Sequence, residues 1–330
     1  MAWPTLAGYE FRAMTRQDAE AVHAAVSAYE VADDVAARSS LEEISEPFDD
    51  PWWDPATDSL LAMDRESGAV AGRVLVIWRP GATRRVTIEL VGGVHPEHRG
   101  RGVGSALLAW QRNRGRQVMA NAPEQHLPGV LQILVGDRQH GLAEFAERHG
   151  FAATRRYYDM VRDLSADLPA PPALDRVDLV VLAEHVDLAD EARVVRTAAF
   201  AEHFGSEPID ADTWRRRVIE HPLGRMDLSL LALDDTGRVV GLLTTGVYPQ
   251  DWPDPERPEG WVDLLGVLPT HRGRGIASAL LLDAMRRYRD EGMATAGLGV
   301  DAENVTGALR LYESLGFASR RMEIAYEIHV

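Results

Sequence analysis

The chain has 330 residues, 45% hydrophobic and 26% charged, values of an ordinary globular protein that exclude a disordered or fibrous chain. At one domain per roughly 150 residues, two domains are expected. Lys and Arg number 35 against 51 Asp and Glu, a formal net charge of −16 with no cysteine; this excludes nucleic acid as an expected partner, along with disulfides, Cys-ligated metals and a thiol nucleophile.

Met1 to Gln17 has no basic start followed by an apolar stretch, and no apolar run reaches about 18 residues, so the expectation is a cytoplasmic protein with no membrane partner. Tyr9 to Met14 then predicts a short strand and Arg16 to Tyr29 a helix, with Ala19, Val22, Val26 and Tyr29 at helical spacing. Two strands follow, Leu60 to Asp64 and Val70 to Trp78, about a turn at Ser67-Gly68. A third, Val86 to Val94, runs into VGGVHPEHRGRGVGSALL at Val91 to Leu108. A helix, a β-like segment at Leu131 to Val135, another helix and a last strand complete the half. The next segment, Asp163 to Asp178, carries Pro169, Pro171 and Pro172, which suit neither a helix interior nor a central strand. It is expected to be a semi-rigid linker, or else a long surface loop.

The same order then recurs. Asp178 to Ala183 and Leu188 to Phe200 repeat the first strand and helix, and Leu228 to Leu233 and Val239 to Val247 flank a turn at Thr236-Gly237. Trp261 to Val267 leads into LLGVLPTHRGRGIASALL at Leu264 to Leu281, which lies 173 residues after its first copy and matches it at twelve of eighteen positions. Ala296 to Val300 is the later β-like segment. AEFAERHGF, ending at Phe151, is echoed by LRLYESLGF, ending at Phe317. An offset near half the chain length means a duplicated domain. The expected organisation is an N-terminal domain at 1–163, a linker at 164–177 and a C-terminal domain at 178–330. The order β, α, three β, α, β, α, β predicts an α+β fold, a mixed sheet flanked by helices in each domain.

In both copies a strand, a glycine turn and a helix N-terminus follow one another, a ready anion site. Gly100, Gly102 and Gly104, like Gly273 and Gly275, permit positive φ and close approach of backbone amides to phosphate. Arg99, Arg101, Arg272 and Arg274 add fork-shaped donors. No Gly-Lys-Ser/Thr follows, so this is not a P-loop. Ser105 and Ser278 stand where a dinucleotide fingerprint needs its third glycine.

Val94 to Gly104 and Val267 to Ala277, both Val-x-Pro-x-x-Arg-Gly-x-Gly-x-Gly/Ala, resemble the acetyl-coenzyme A motif of the GNAT superfamily of N-acetyltransferases. Asn304 with Ala308 to Phe317 resembles its second signature. The resemblance covers nearly the whole chain as two tandem domains and, within the superfamily, is greatest to the mycothiol synthase group. It implies that amides of Arg272, Gly273, Arg274, Gly275, Ile276, Ala277 and Ser278 hold a pyrophosphate. Leu265, Gly266 and Val267 would pair with the pantetheine arm and polarise the acetyl carbonyl, and Asn304 is carried over as a further cofactor-binding residue. Gly92, Gly93, Val94, Arg99, Gly100, Arg101, Gly102, Val103, Gly104 and Ser105 are their counterparts in the first half. Tyr312 would stand at the sulfur, where a phenol with an ordinary pKa of about 10 protonates the leaving thiolate.

Aligning the two Gly-Phe pairs places Ala146 against Tyr312 and Arg138 against Asn304. The first half therefore lacks the acid unless Tyr157 or Tyr158 replaces it, and catalysis is expected in the second. Asp263 is the candidate base or a structural carboxylate, its direction uncertain by one residue of strand alternation. Glu202 and His203 either line the acceptor pocket or end a helix. His98 and His271 position the glycine turn or touch coenzyme A. Trp252 to Pro258 (WPDPERP) is a wall of the acceptor site or a surface loop, and Trp52 and Trp53 serve a pocket, an interdomain interface or the core. No metal-ligand spacing occurs, so no metal is expected. The expected function is direct transfer of acetyl from acetyl-coenzyme A to a primary amine of a small molecule, by a monomer or homodimer. The alternatives are acetylation of a glucosaminyl-cysteine conjugate and a non-catalytic acetyl-coenzyme A sensor.

Overall fold

The structure is a computed structural model that describes residues 2–35, 38–50, 52–201, 208–303 and 307–330. The first half runs β1 (Tyr9–Arg12), α1 (Ala19–Ala32), α2 (Leu41–Ser45), α3 (Pro55–Asp58), β2 (Ser59–Asp64), β3 (Val70–Ile77), β4 (Val86–Val94), α4 (Val103–Asn121), β5 (Gly129–Gly136), α5 (His140–Arg148) and β6 (Ala152–Asp163). The second runs β7 (Val177–Val181), α6 (Ala189–Ala199), α7 (Ala211–Trp214), β8 (Leu230–Asp234), β9 (Val239–Gly246), β10 (Glu259–Val267), α8 (Ile276–Asp290), β11 (Thr295–Asp301), α9 (Ala308–Ser314) and β12 (Ala318–His329).

Two compact units form, Met1–Arg155 with Glu323–Val330, and Arg156–Met322. This differs from the sequence-based division at 163. The cut falls inside β6, because Tyr157 to Asp163 pair antiparallel with β11, while the end of β12, Glu323 to His329, pairs antiparallel with β5. The proline-rich segment is likewise no free linker. Leu168 and Leu174 pack on the second unit's core, and Arg286 and Arg274 donate to the Pro169 and Asp175 carbonyls at 2.7 and 2.8 Å. A proline that cannot extend a sheet still offers its carbonyl, and Arg286 uses that of Pro169.

In the first unit the sheet order is β1-β2-β3-β4-β5 followed by the β12 segment; in the second it is β7-β8-β9-β10-β11 followed by the β6 segment. Neighbours are antiparallel except β4 with β5 and β10 with β11. Helices cover both faces. In α8, Ile276, Ala279, Leu280 and Ala284 fall on one helical stripe and are buried, so the apolar face predicted by period 3.6 is the one packed on the sheet. Truncating Leu280, fully buried, to Ala would cost about 2–5 kcal/mol.

What positions the site is the parallel pair. The ladder between β10 and β11 ends at Val262 and Leu298, and that between β4 and β5 at Glu89 and Gln132. Both strands of each pair continue beyond that point, so their facing backbone groups are left without a partner in the ladder. Among the described residues no helix is long and apolar enough to cross a membrane.

Candidate active site

In the second unit the parting of β10 from β11 opens a cleft of about 400 Å3. Leu265, Gly266 and Val267 form one wall and Leu298, Gly299 and Val300 the other. Beyond Val267 the lining continues through His271, Arg272, Gly273, Gly275, Ile276, Ala277 and Ser278. Gly273 and Gly275 have φ of +74° and +81°, and Gly275 is the N-cap of α8. The left-handed turn leaves the first amides of α8 without a helical partner, at the positive end of its dipole. Arg272 fastens the turn to α6 through a 2.8 Å bond to the Ala199 carbonyl. Arg274 does not line the cleft; it is the residue bonded to Asp175.

Asp263 is the extra residue of a β-bulge. Val262 faces Thr245 and Leu264 faces Thr244, so Asp263 has no cross-strand partner. A bulge re-aims a side chain, which removes the one-residue uncertainty of simple alternation. Asp263 lines the cleft and accepts a 2.9 Å hydrogen bond from the Tyr248 hydroxyl. Its surface is open to the cleft, yet the walls replace much of its bulk water. Burial pushes its carboxyl up to about 7, against the opposing pull of the Tyr248 bond.

Tyr312, on α9, lines the same cleft and is 8% exposed, edge-on to Phe317 with ring centroids 6.1 Å apart. Burial pushes its phenol up to about 12, so it stays protonated through the physiological range. Ala199 and Phe200 close the cleft over Gly266, where a Cβ would meet each at 3.0 Å. Tyr288, fully buried on α8, bonds Thr245 at 2.7 Å, and burial raises its phenol as well. Sequence reasoning missed Tyr248, Phe200 and Tyr288; only a Gly-x-Tyr at the end of β9 marked the first. Glu202, His203 and Asn304 lie outside the described residues.

The first unit keeps the turn and has neither the bulge nor a tyrosine at the position of Tyr312. Gly100 and Gly102 have φ of +73° and +86°, as in the second unit. Its β3–β4 ladder, however, runs without a break from Gly72–Val94 to Ile77–Glu89, so there is no bulge, and Leu90 occupies the repeat position of Asp263. Ala146 is fully buried in α5. Tyr157 and Tyr158 belong to the second unit, where Tyr158 packs against the core. Arg99 is held bidentate by Asp33 at 2.7 and 2.9 Å, and Arg138 by Asp34 at 2.6 Å. Gly93 lies under Tyr29, whose ring a Cβ there would meet at 2.8 Å. His98 bonds the Tyr9 hydroxyl at 3.1 Å. Trp53 is buried in the first unit's core and Trp52 is exposed.

Residues 28–151 and 191–317 each match the acetyltransferase (GNAT) family. The chain is 33% identical over 238 residues to a mycothiol acetyltransferase of Frankia casuarinae, covering 71% of this chain and 66% of that protein. It is 31% identical over 280 residues to one of Pseudarthrobacter chlorophenolicus, covering 82% and 79%. A GCN5-related N-acetyltransferase from Sphaerobacter thermophilus superposes with a TM-score of 0.73 at 26% identity, covering 98% of this chain and 97% of that one. A tandem GNAT protein from the clavulanic acid biosynthesis pathway shares the fold, with a TM-score of 0.66 at 20% identity over 97% and 98%.

Proposed function

The chain belongs to the acetyltransferase (GNAT) family, and from that premise we propose that its second unit transfers acetyl from acetyl-coenzyme A directly to a primary amine of a small molecule. The observation that carries this reading is the β-bulge at Asp263, which brings a carboxylate into the cleft that Tyr312 lines. The cleft suits the donor. The amides at the start of α8 face one end as phosphate ligands, and the unpaired edge of Leu265 to Val267 offers hydrogen bonds to an amide-bearing arm, as an exposed strand edge does to a peptide.

The reaction balances through two protein groups. The amine nitrogen attacks the thioester carbonyl carbon and gives its proton to the Asp263 carboxylate; the carbon–sulfur bond breaks, and the thiolate takes a proton from the Tyr312 hydroxyl. Asp263 must be ionised and Tyr312 protonated. With the carboxyl at about 7 and the phenol at about 12, kcat/KM rises as pH passes about 7 and then holds. The first unit, with Ala146 and Leu90 at the two positions, has a binding or scaffolding role without turnover. The likeness to proteins named mycothiol acetyltransferase favours a glucosaminyl-cysteine amine as acceptor.

The test is release of free coenzyme A from acetyl-coenzyme A across a panel of amines that includes such a conjugate. Amine-dependent release that falls at least tenfold in Tyr312→Phe is expected, general acids contributing about 10²–10⁴-fold. Release unaffected by Tyr312→Phe would move the chemistry elsewhere, and tight donor binding with no release on any amine would favour a sensor.

A further inference from the structure

Asp263 stands outside the strand ladder, so no cross-strand neighbour packs beside its side chain to hold the carboxylate that the bulge turns into the cleft. The groups around it come from four elements. Tyr288 reaches its neighbourhood from α8, Tyr312 shares its cleft from α9, and His271 and Arg272 line that cleft from the glycine turn. Tyr248 approaches from the segment after β9, with the His221 ring 6.4 Å from its own. Among the described residues no arginine or lysine forms an ion pair with Asp263, and the single side-chain hydrogen bond to its carboxylate is the one from Tyr248, at 2.9 Å.

We propose that Tyr248 is a positioning residue for acetyl transfer: its hydroxyl holds the bulged Asp263 carboxylate in the cleft and keeps it ready to accept the amine's proton. This rests on the reading of Asp263 as the base. The sheet is built to admit the ring. At Gly246, the last residue of β9, a Cβ would sit 2.4 Å from Tyr248 Cε2 and 2.5 Å from its hydroxyl oxygen, so any larger residue would push the phenol off the strand end. The other face of the ring is near His221, whose Nδ1 accepts a hydrogen bond from the Leu223 amide at 3.2 Å. The first unit lacks both partners at once. In the β3–β9 correspondence that aligns Gly72 with Gly241, Arg79 replaces Tyr248 and pairs with Asp50; the same register sets Leu90 opposite Val76 as Val262 is set opposite Thr245, so the extra residue Asp263 has no counterpart there.

A hydrogen bond donated to a carboxylate favours its ionised form, so removing the donor raises the carboxyl's pKa. In Tyr248→Phe the acidic limb of the kcat/KM profile should therefore move up by about one pH unit, an approximately tenfold loss below the limb that is recovered at pH 9. Gly246→Ala should move the limb the same way. His221→Gln serves as the control for a histidine limb, and the amine's own ionisation gives a limb that no protein variant moves. The carboxyl carbon of Asp263, followed by NMR in the free protein, should show its midpoint rise in Tyr248→Phe. An unmoved midpoint and an unmoved limb in that variant would overturn the proposal. If Asp263→Asn leaves turnover intact, the reading of Asp263 as the base fails, while the NMR midpoint still reports whether Tyr248 holds the carboxylate.

Discussion

Asp263, the proposed base, would set activity against stability at a single residue. Its carboxyl is raised to about 7 in the fold from an ordinary value of 3.8, chiefly by burial. The folded state therefore holds a proton that the unfolded state has released between these two values, and stability falls as pH rises through that window. The penalty is absent below about 4 and complete above about 7. Asp263→Asn should thus melt higher than the parent at pH 8.5 and indistinguishably from it at about pH 3.5. Because the side chain opens to the cleft, solvent screening reduces the gain to about 1 kcal/mol, about 2–4 °C for a unit of this size. Scanning calorimetry at the two pH values checks this; an equal gain at both would assign the effect to packing and not to charge. The place of Tyr312 in the cleft was legible because Ala308 to Phe317 resembles the family's second signature, which spans α9 and the turn after it. Asp263 was legible only as a candidate, since a bulge is a property of the ladder and leaves no mark in the alternation of one strand. Tyr248 had only the Gly-x-Tyr at the end of β9 to mark it, because its bond to Asp263 spans fifteen residues of chain.

At the scale of elements, the two glycine turns carry nearly the same sequence and have nearly the same φ values, and they differ in what surrounds them. A Cβ on Gly275 would meet Pro172 at 3.1 Å, whereas at Gly102 it would meet only Leu6, at 3.6 Å. Gly275→Ala therefore incurs two costs, about 1–2 kcal/mol for a left-handed L-residue and a displacement of the proline that backs the turn. Both fall on the amides that would hold the donor's phosphates. The KM for acetyl-coenzyme A should rise about tenfold while kcat at saturating donor stays within about twofold, since 1.4 kcal/mol of binding is a factor of ten. Steady-state kinetics with the donor varied separates the two; a fall in kcat alone would mean the turn shapes the reacting end and not the phosphate end. The strands, helices and turns were readable because periodicity and glycine placement act within an element. The proline-rich segment was misread as a linker because its role comes from partners far along the chain, Arg274 and Arg286.

For the whole chain, the duplication explains why the domain boundary could not be read. β6 and β12 are the last strands of two equivalent halves, so either has the pattern to complete either sheet, and the hydrophobic signal is the same for a strand kept or exchanged. The structure exchanges them, β12 ending in the first unit and β6 in the second. The C-terminal eight residues are therefore a structural part of the first unit. Glu323 to His329 pair with Gly136 to Val130, Tyr326 is buried in the core, and Glu327 meets Arg85 at 2.7 Å and Gln132 at 2.7 Å. The Glu327 side chain is 4% exposed and that of Arg85 18%, so deleting the carboxylate takes a bidentate ion pair from a largely buried guanidinium. Breaking such a pair costs about 3–5 kcal/mol. A chain ending at Met322 should lose at least that much, about 10 °C in the first unit's melting temperature, and Glu327→Gln should reproduce part of the loss with the strand intact. If the shortened chain melts like the parent, the exchanged strand contributes nothing to the first unit. If only Glu327→Gln is silent, the strand's backbone ladder and Tyr326 carry the stability, and the ion pair serves register, since a one-residue slip of β12 would turn Glu327 and Tyr326 to the opposite faces of the sheet.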